Sequence, residues 1–294
     1  MKKKLLITGA SGFLGYHLIR EFAHDWEVYA ITHSRDITYR KVTSVKCDIT
    51  NYIELGNYFD DIEPDAVIHA AAIADANYCE KNPAASYTVN VEASKNIAGI
   101  SCDFKIPFAF TSTDMVFDGK KGDYKEDDEK NPVSVYGKQK SVAEDEILKI
   151  YPEALVFRLP LMFGAEEANP NNFLYKFLAE MRAGNNFPLF TDEYRSACGA
   201  MSISKGIRHL FEKNSGVIHL AGKERISRYT FGLSAVNAFS VTTGLIHQCS
   251  QKDVKMDAPR PADVSLNISK ALSLGYSPLL VDEELALIAE KDYY

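Results

Sequence analysis

The chain has 294 residues, room for about two domains at roughly 150 residues each and enough to bury a core without disulfide or metal staples. Lys and Arg total 33 against 40 Asp and Glu, a formal charge of −7. That balance excludes general nucleic-acid binding, which needs a basic patch, and an anionic membrane surface as partner. Hydrophobic residues at 46% and charged residues at 25% exclude disordered and fibrous classes, and no apolar run reaches the roughly 20 residues of a membrane span.

The first half alternates strand-like and helix-like stretches. Residues 4–8 form a short apolar run; the lysines before it imitate the start of a secretory signal, but Thr8 and Gly9 break the run too early. Helical spacing follows over 13–22, then a strand at 27–32, a shorter one at 44–47 and a helix-like stretch over 52–59. Pro64-Asp65 precedes a buried-strand pattern at 66–69. Pro83 opens a helix expected to run unbroken to about Cys102, and Pro107 precedes a strand at 108–112. A helix over 135–150 and a sixth strand at 154–158 complete the set. Six strands separated by helices predict an α/β fold, a Rossmann-type doubly wound parallel sheet. The domain change is placed near 160: residues 1–160 for the sheet, 161–294 mainly for a smaller substrate lobe. Helices are expected at 173–181, 227–239 and 282–289, and a strand at 216–220 is expected to return to the main sheet.

Three groups of residues carry chemistry. Gly9, Gly12 and Gly15, with Ser11, Phe13 and Leu14 between them, sit between the first strand and helix, where a backbone cradle and a helix N-terminus receive a pyrophosphate. After the second strand the chain reads Thr32-His33-Ser34-Arg35, with no carboxylate before Asp36. An arginine there suits the 2′-phosphate of NADP, whereas an acid suits the ribose of NAD, so NADP is expected and NAD is the alternative. Tyr136 and Lys140 lie one helical turn apart; the ammonium is expected to lower the phenol pKa, and the tyrosine to donate a proton to a carbonyl as hydride arrives. Thr113, ending the fifth strand, can hold the same oxygen.

The remaining polar features read as structural. Asp123, Glu126, Asp127, Asp128 and Glu129 interleave with lysines as a solvated loop, not a metal site. His69 beside Ala70-Ala71-Ala72 reads as structural, the small residues leaving room for a cofactor; Trp26 reads as packing. Cysteines at 47, 79, 102, 198 and 249 show no paired spacing, which suits a reduced cytoplasm.

Together with Cys47-Asp48-Ile49-Thr50, these residues resemble an extended short-chain dehydrogenase/reductase. Within that group Ser112-Thr113-Asp114-Met115-Val116-Phe117-Asp118-Gly119, Asn131-Pro132-Val133-Ser134-Val135-Tyr136-Gly137-Lys138 and Arg260-Pro261 resemble dTDP-4-dehydrorhamnose reductase. The resemblance implies a catalytic set of Thr113, Tyr136 and Lys140, with Lys140 also on the nicotinamide ribose. It implies Asp48 and Ile49 at the adenine, and Ala70, Ala71, Ala72, Thr111 and Pro160 along the rest of the cofactor. Asp114, Met115, Leu161 and Arg260 would meet a nucleotide-sugar substrate. Met115 stands where the family has Tyr, and Arg158-Leu159-Pro160-Leu161 lacks a Trp the family often carries. An epimerase of the same superfamily is a second reading. A non-catalytic NADP-binding subunit like the regulatory subunit of methionine adenosyltransferase is a third. Magnesium enters through the resemblance only, with no ligands assigned, and a homodimer is left open.

Overall fold

The computed structural model describes residues 2–33, 36–164, 172–241 and 244–292, with backbone alone at 291 and 292. Its centre is a parallel sheet. The strands are β1 (Lys4–Thr8), β2 (Glu27–Thr32), β3 (Val42–Lys46), β4 (Ala66–His69), β5 (Phe108–Thr113) and β6 (Leu155–Leu159). Further along the chain come β7 (Met162–Phe163), β8 (Asn186–Phe190), β9 (Tyr194–Arg195), β10 (Cys198–Gly199), β11 (Gly216–His219), β12 (Ile226–Ser227) and β13 (Leu245–Cys249).

The seven-stranded sheet has the order β11-β6-β5-β4-β1-β2-β3, and every pairing in it is parallel. The order reverses between β1 and β4, and an open α/β sheet binds ligands beyond the carboxyl ends of its strands at that reversal. Successive side chains of a strand face opposite ways: Leu5 and Ile7 enter one core cluster and Leu6 the other. That division explains why a five-residue run with no amphipathic alternation makes a strand buried from Leu5 to Thr8.

The helices are α1 (Phe13–Phe22), α2 (Tyr52–Ile62), α3 (Ala76–Lys81), α4 (Pro83–Tyr87), α5 (Ser94–Asp103), α6 (Val135–Ile150), α7 (Phe173–Arg182), α8 (Ala200–Leu210), α9 (Arg228–Ala238), α10 (Ser269–Ser273) and α11 (Val281–Asp292). The unbroken helix expected from Pro83 does not occur. A π-helical turn at Thr88–Ala93 separates α4 from α5, and the third strand runs 42–46 rather than 44–47. Among the helices, α3, α8 and α10 had no expectation, nor did the strands β7 to β10, β12 and β13. α8 buries Ile203, Ile207 and Leu210 in the cluster that holds Leu14, Leu18 and Phe22 of α1, so this stretch covers the Rossmann sheet although it follows the sixth strand. β11 pairs with β6.

A third core, with Phe163, Phe177, Leu189, Phe231, Leu285 and Ile288, belongs to the later part of the chain. Its short ribbons are β7 with β10, β9 with β12 and β8 with β13. The acidic stretch at 123–129 is less solvated than its composition suggests. Tyr124 stacks on Phe117 at 4.2 Å, and the Glu126 carboxylate accepts from the His219 N–H at 3.0 Å. Trp26 is buried against Phe22.

Candidate active site

Two adjoining cavities follow the carboxyl edge of the sheet. The first, about 660 Å³, is lined by Gly9, Ser11, Gly12, Thr32, His33, Asp48, Ile49, Ala70, Ala71 and Ala72, among others. The second, about 520 Å³, shares Gly9, Gly12, Ala70 and Ala72 with it. That second cavity continues past Phe13, Leu14, Gly15 and Thr111 to Thr113, Asp114, Met115, Tyr136, Lys140, Pro160, Leu161 and Arg260. Every described residue singled out for cofactor, catalysis or substrate therefore lies on one continuous cleft. Ser34 and Arg35 lie outside the described residues.

The glycine turn is shaped for close approach. Gly9 has φ +68°, and a Cβ there would lie 2.5 Å from the Ala71 nitrogen; a Cβ on Gly15 would overlap the Gly9 carbonyl. Gly12 N–H donates to Gly9 O at 2.9 Å, and no side chain caps α1, so its first-turn N–H groups have no helical acceptor. Thr32 adds a buried hydroxyl without a protein partner. These features fit a dinucleotide. The Asp48 carboxyl is held below its ordinary range by the Thr50 backbone N–H and hydroxyl, at 3.0 and 2.8 Å, and is ionised for a donor such as an adenine amino group.

His69 is built into the scaffold behind this cradle. Ser94 Oγ donates to Asn90 O at 2.9 Å, so it accepts from His69 Nε2, 2.8 Å away. Nδ1 then accepts from the Thr8 hydroxyl at 2.6 Å. Burial drives the imidazole pKa down to about 3, and the ring stays neutral.

The catalytic group comes from β5 and α6. Ser134 caps α6 by accepting from Gly137 N–H at 3.1 Å, which puts Tyr136, Lys140 and Glu144 on one buried face. Thr113 Oγ1 accepts from Met115 N–H and donates to Asp114, both at 3.2 Å. The expected lowering of the Tyr136 phenol is not found. Burial is the largest influence and raises its pKa, Asp114 adds to the rise, and contact with Thr113 counters it only in part. Burial also brings Lys140 down to about 7, against the pull of Glu144. At neutral pH the phenol is therefore protonated, as a proton donor must be, and the lysine is close to its midpoint.

Asn90, which had no sequence signal beyond its place in a helix, fixes both walls. Its side chain accepts from Ile73 N–H at 2.8 Å and donates to Ile73 O and to Gln139 Oε1, at 3.1 and 2.9 Å. Gln139 precedes Lys140, and the π turn carries Asn90 between the two.

The far end of the cleft is a charged cluster of which sequence reasoning found only Asp114 and Arg260. Glu193 is fully buried, with Arg228 Nε 2.8 Å and Arg195 Nη2 3.3 Å from its Oε1 and Arg260 Nη1 4.0 Å from its Oε2. Burial alone would raise this carboxyl, but Arg228 and Arg195 hold it below its ordinary value. Arg195 Nε also lies 3.6 Å from Asp114 Oδ2. Burial raises Asp114 to about 6 despite Arg195. Three guanidinium groups thus face two carboxyls, and Arg228 Nη1 and Arg260 Nε have no acceptor among the described residues. Among the described residues no cluster of His, Cys, Asp or Glu is arranged to hold a metal ion.

The model of the RmlD substrate binding domain family matches residues 3–290. The chain belongs to that family. Among its relatives is a probable low-salt glycan biosynthesis reductase of Haloferax volcanii, 30% identical, with 98% of each chain covered. The methionine adenosyltransferase 2 subunit beta of Danio rerio is 27% identical over 94% of this chain and 86% of the relative. A solved structure of a hypothetical dTDP-4-dehydrorhamnose reductase from Sulfolobus tokodaii superposes with a TM-score of 0.85 at 31% identity, over 96% of this chain and 98% of that one. Family membership therefore agrees with the resemblance carried by the glycine turn and the Tyr136–Lys140 pair. No described helix is long and apolar enough to cross a membrane.

Proposed function

We propose that this protein is an NADPH-dependent reductase of a 4-keto-6-deoxy nucleotide sugar, with residues 1–160 holding the cofactor and 161–294 mainly the substrate. The observation that carries the reading is the continuity of one cleft from the glycine cradle, past Thr113, Tyr136 and Lys140, to the arginine cluster. A diphosphate brings the negative charge that Arg195, Arg228 and Arg260 together call for, and guanidinium groups suit its oxygens. The reductase relatives add support for oxidoreductase chemistry.

A reduced nicotinamide dinucleotide, when bound in the cradle, would supply the hydride. The small side chains of Ala70, Ala71 and Ala72 leave room for its backbone, and Lys140 would hold its nicotinamide ribose. At the reacting carbon the Thr113 hydroxyl turns its hydrogen from Asp114 to the carbonyl oxygen. Tyr136, kept protonated by burial, gives that oxygen its proton. The charged form of Lys140 stabilises the phenolate left behind. Met115 and Leu161 present apolar surface where the related enzymes place aromatic rings, which favours a sugar other than the family's usual one.

The test is oxidation of NADPH and of NADH by purified protein with dTDP-4-keto-6-deoxy-L-mannose and a panel of other keto sugars. Turnover with NADPH supports the reading; binding of both cofactors with no oxidation on any sugar contradicts it. The match to methionine adenosyltransferase 2 subunit beta favours one second reading, a cofactor-binding subunit without turnover. A stable complex with a methionine adenosyltransferase would support it.

A further inference from the structure

Behind the catalytic helix face lies a buried ionic chain that the mechanism above does not use. Glu144, one turn beyond Lys140, is only 1% exposed. Its Oε1 accepts from Ser112 Oγ at 2.5 Å and Arg158 Nε at 3.1 Å, and its Oε2 from Arg158 Nη2 at 2.9 Å. Lys130 Nζ lies 3.3 Å from Oε2. Arg158, from β6, extends the chain: its Nη1 donates to Glu126 O at 3.1 Å and lies 3.3 Å from His219 Nε2, whose ring contacts Asn267 O. A removable carboxylate held by two cations inside a core is a costly arrangement, and hydrophobic groups would pack there at least as well. Its location suggests why it is kept. Ser112 is the residue before Thr113, and Glu144 shares a helix face with Lys140 and Tyr136.

We infer that Glu144 is a positioning residue for the catalytic set: through Ser112 it fixes the end of β5 that carries Thr113, and through its charge it favours the ammonium form of Lys140. The inference rests on the reductase reading for what the ammonium does, but not for the electrostatics. On its own helix Lys140 meets Tyr136 and Glu144. From β4 it meets neutral His69, and from β5 the ring of Phe110, whose centroid is 3.8 Å from Nζ. Cys79 of α3 and Asp114 after β5 act on Tyr136, and from the π turn and α5 come the neutral side chains of Asn90 and Ser94. The Lys95–Glu146 pair joins α5 to α6 near the surface. Among the described residues Glu144 is thus the carboxylate whose pull offsets the burial of Lys140.

The sign follows. A Lys140 ammonium is lost as pH rises through its pKa, so the alkaline limb of cofactor binding and of kcat marks that loss. In Glu144→Gln the limb moves to lower pH by roughly one unit, the size of a lost neighbouring charge. Lys130 is a cation beside the same carboxylate, so Lys130→Met moves the limb the other way by a smaller amount. NADPH affinity, read by fluorescence across pH for wild type and both variants, gives the limb without any turnover; kcat across pH is measured in parallel. Opposite shifts in the two variants, with Ser112→Ala lowering kcat more than it alters KM, are the expected result. Limbs that coincide in wild type and both folded variants overturn the inference. If Glu144→Gln does not fold, Lys130→Met alone decides it, since an unmoved limb there removes the electrostatic link. Shifted binding limbs without turnover on any keto sugar would refute the reductase reading and leave this inference standing.

Discussion

The two halves of the cleft are made from different materials. The cofactor half is backbone and small side chains: Gly9, Gly12, Gly15, Ala70, Ala71 and Ala72, with uncapped helical N–H groups facing the space. The substrate half is long charged side chains, Arg195, Arg228 and Arg260 gathered on Glu193 and Asp114. A backbone cradle fits whatever diphosphate dinucleotide approaches it, while a set of side chains can be exchanged singly. On the proposed function one half fixes the chemistry and the other sets the substrate, so substitutions should separate the two.

The largest separation is expected at the junction. Tyr136→Phe should lower kcat by about 10²- to 10⁴-fold, the usual worth of a positioned proton donor, with cofactor affinity unchanged. Stopped assays with equilibrium NADPH binding check this, and an unchanged kcat would remove Tyr136 from the mechanism. In the substrate half, Arg228→Met should raise KM for the nucleotide sugar by roughly 10- to 100-fold, since it leaves the buried Glu193 short of a partner and takes a charge from the diphosphate. NADPH affinity should hold. Equal losses for cofactor and substrate would mean that the halves are not separable.

For the cofactor, Arg35→Ala, at a position outside the described residues, should weaken NADPH about tenfold more than NADH. Equal weakening would remove the sequence-based reason for NADP. The smallest effect is on the scaffold. His69 and His219 sit in the fold with pKa values near 3, pushed down first by burial, so the unfolded chain takes up protons first as pH falls below about 6.5. Stability is lost from there toward pH 3, on the order of 2 kcal/mol per histidine at pH 5. Asp114, raised to about 6, offsets part of this because it binds its proton in the fold before it does unfolded. Urea midpoints at pH 7 and pH 5 test the sum; a midpoint that rises at pH 5 would contradict the neutral, buried imidazoles.

The same contrast decided what could be read from the sequence. Strands β1, β2 and β4 and helices α1 and α6 came out with their observed bounds because local signals fix them: apolar runs ended by Gly9 or preceded by Pro64, and a serine cap before Val135. The glycine cradle and the Tyr136–Lys140 pair are likewise local spacings. Arg195 and Arg228 were missed because 33 positions separate them and only the β9–β12 ribbon brings them together. α8 does carry a local signal, with Ala200, Ile203, Ile207 and Leu210 at helical spacing, but nothing in that spacing says that α1 is its neighbour. The π turn depends on Asn90 finding Ile73 and Gln139, contacts no window of sequence contains. The depressed phenol pKa failed for a related reason: the spacing of Tyr136 and Lys140 was legible, but the burial that raises the phenol was not.

The central claim is that hydride passes from a nicotinamide in the cradle to a sugar carbon beside Thr113 and Tyr136. It is tested most directly by supplying NADPH deuterated at the transferring position with the keto sugar and examining the product by mass spectrometry and NMR. The expected result is one deuterium on the carbon that bore the ketone, with one NADPH consumed per product. Product without deuterium, or an epimerised sugar formed with no net cofactor oxidation, would contradict it.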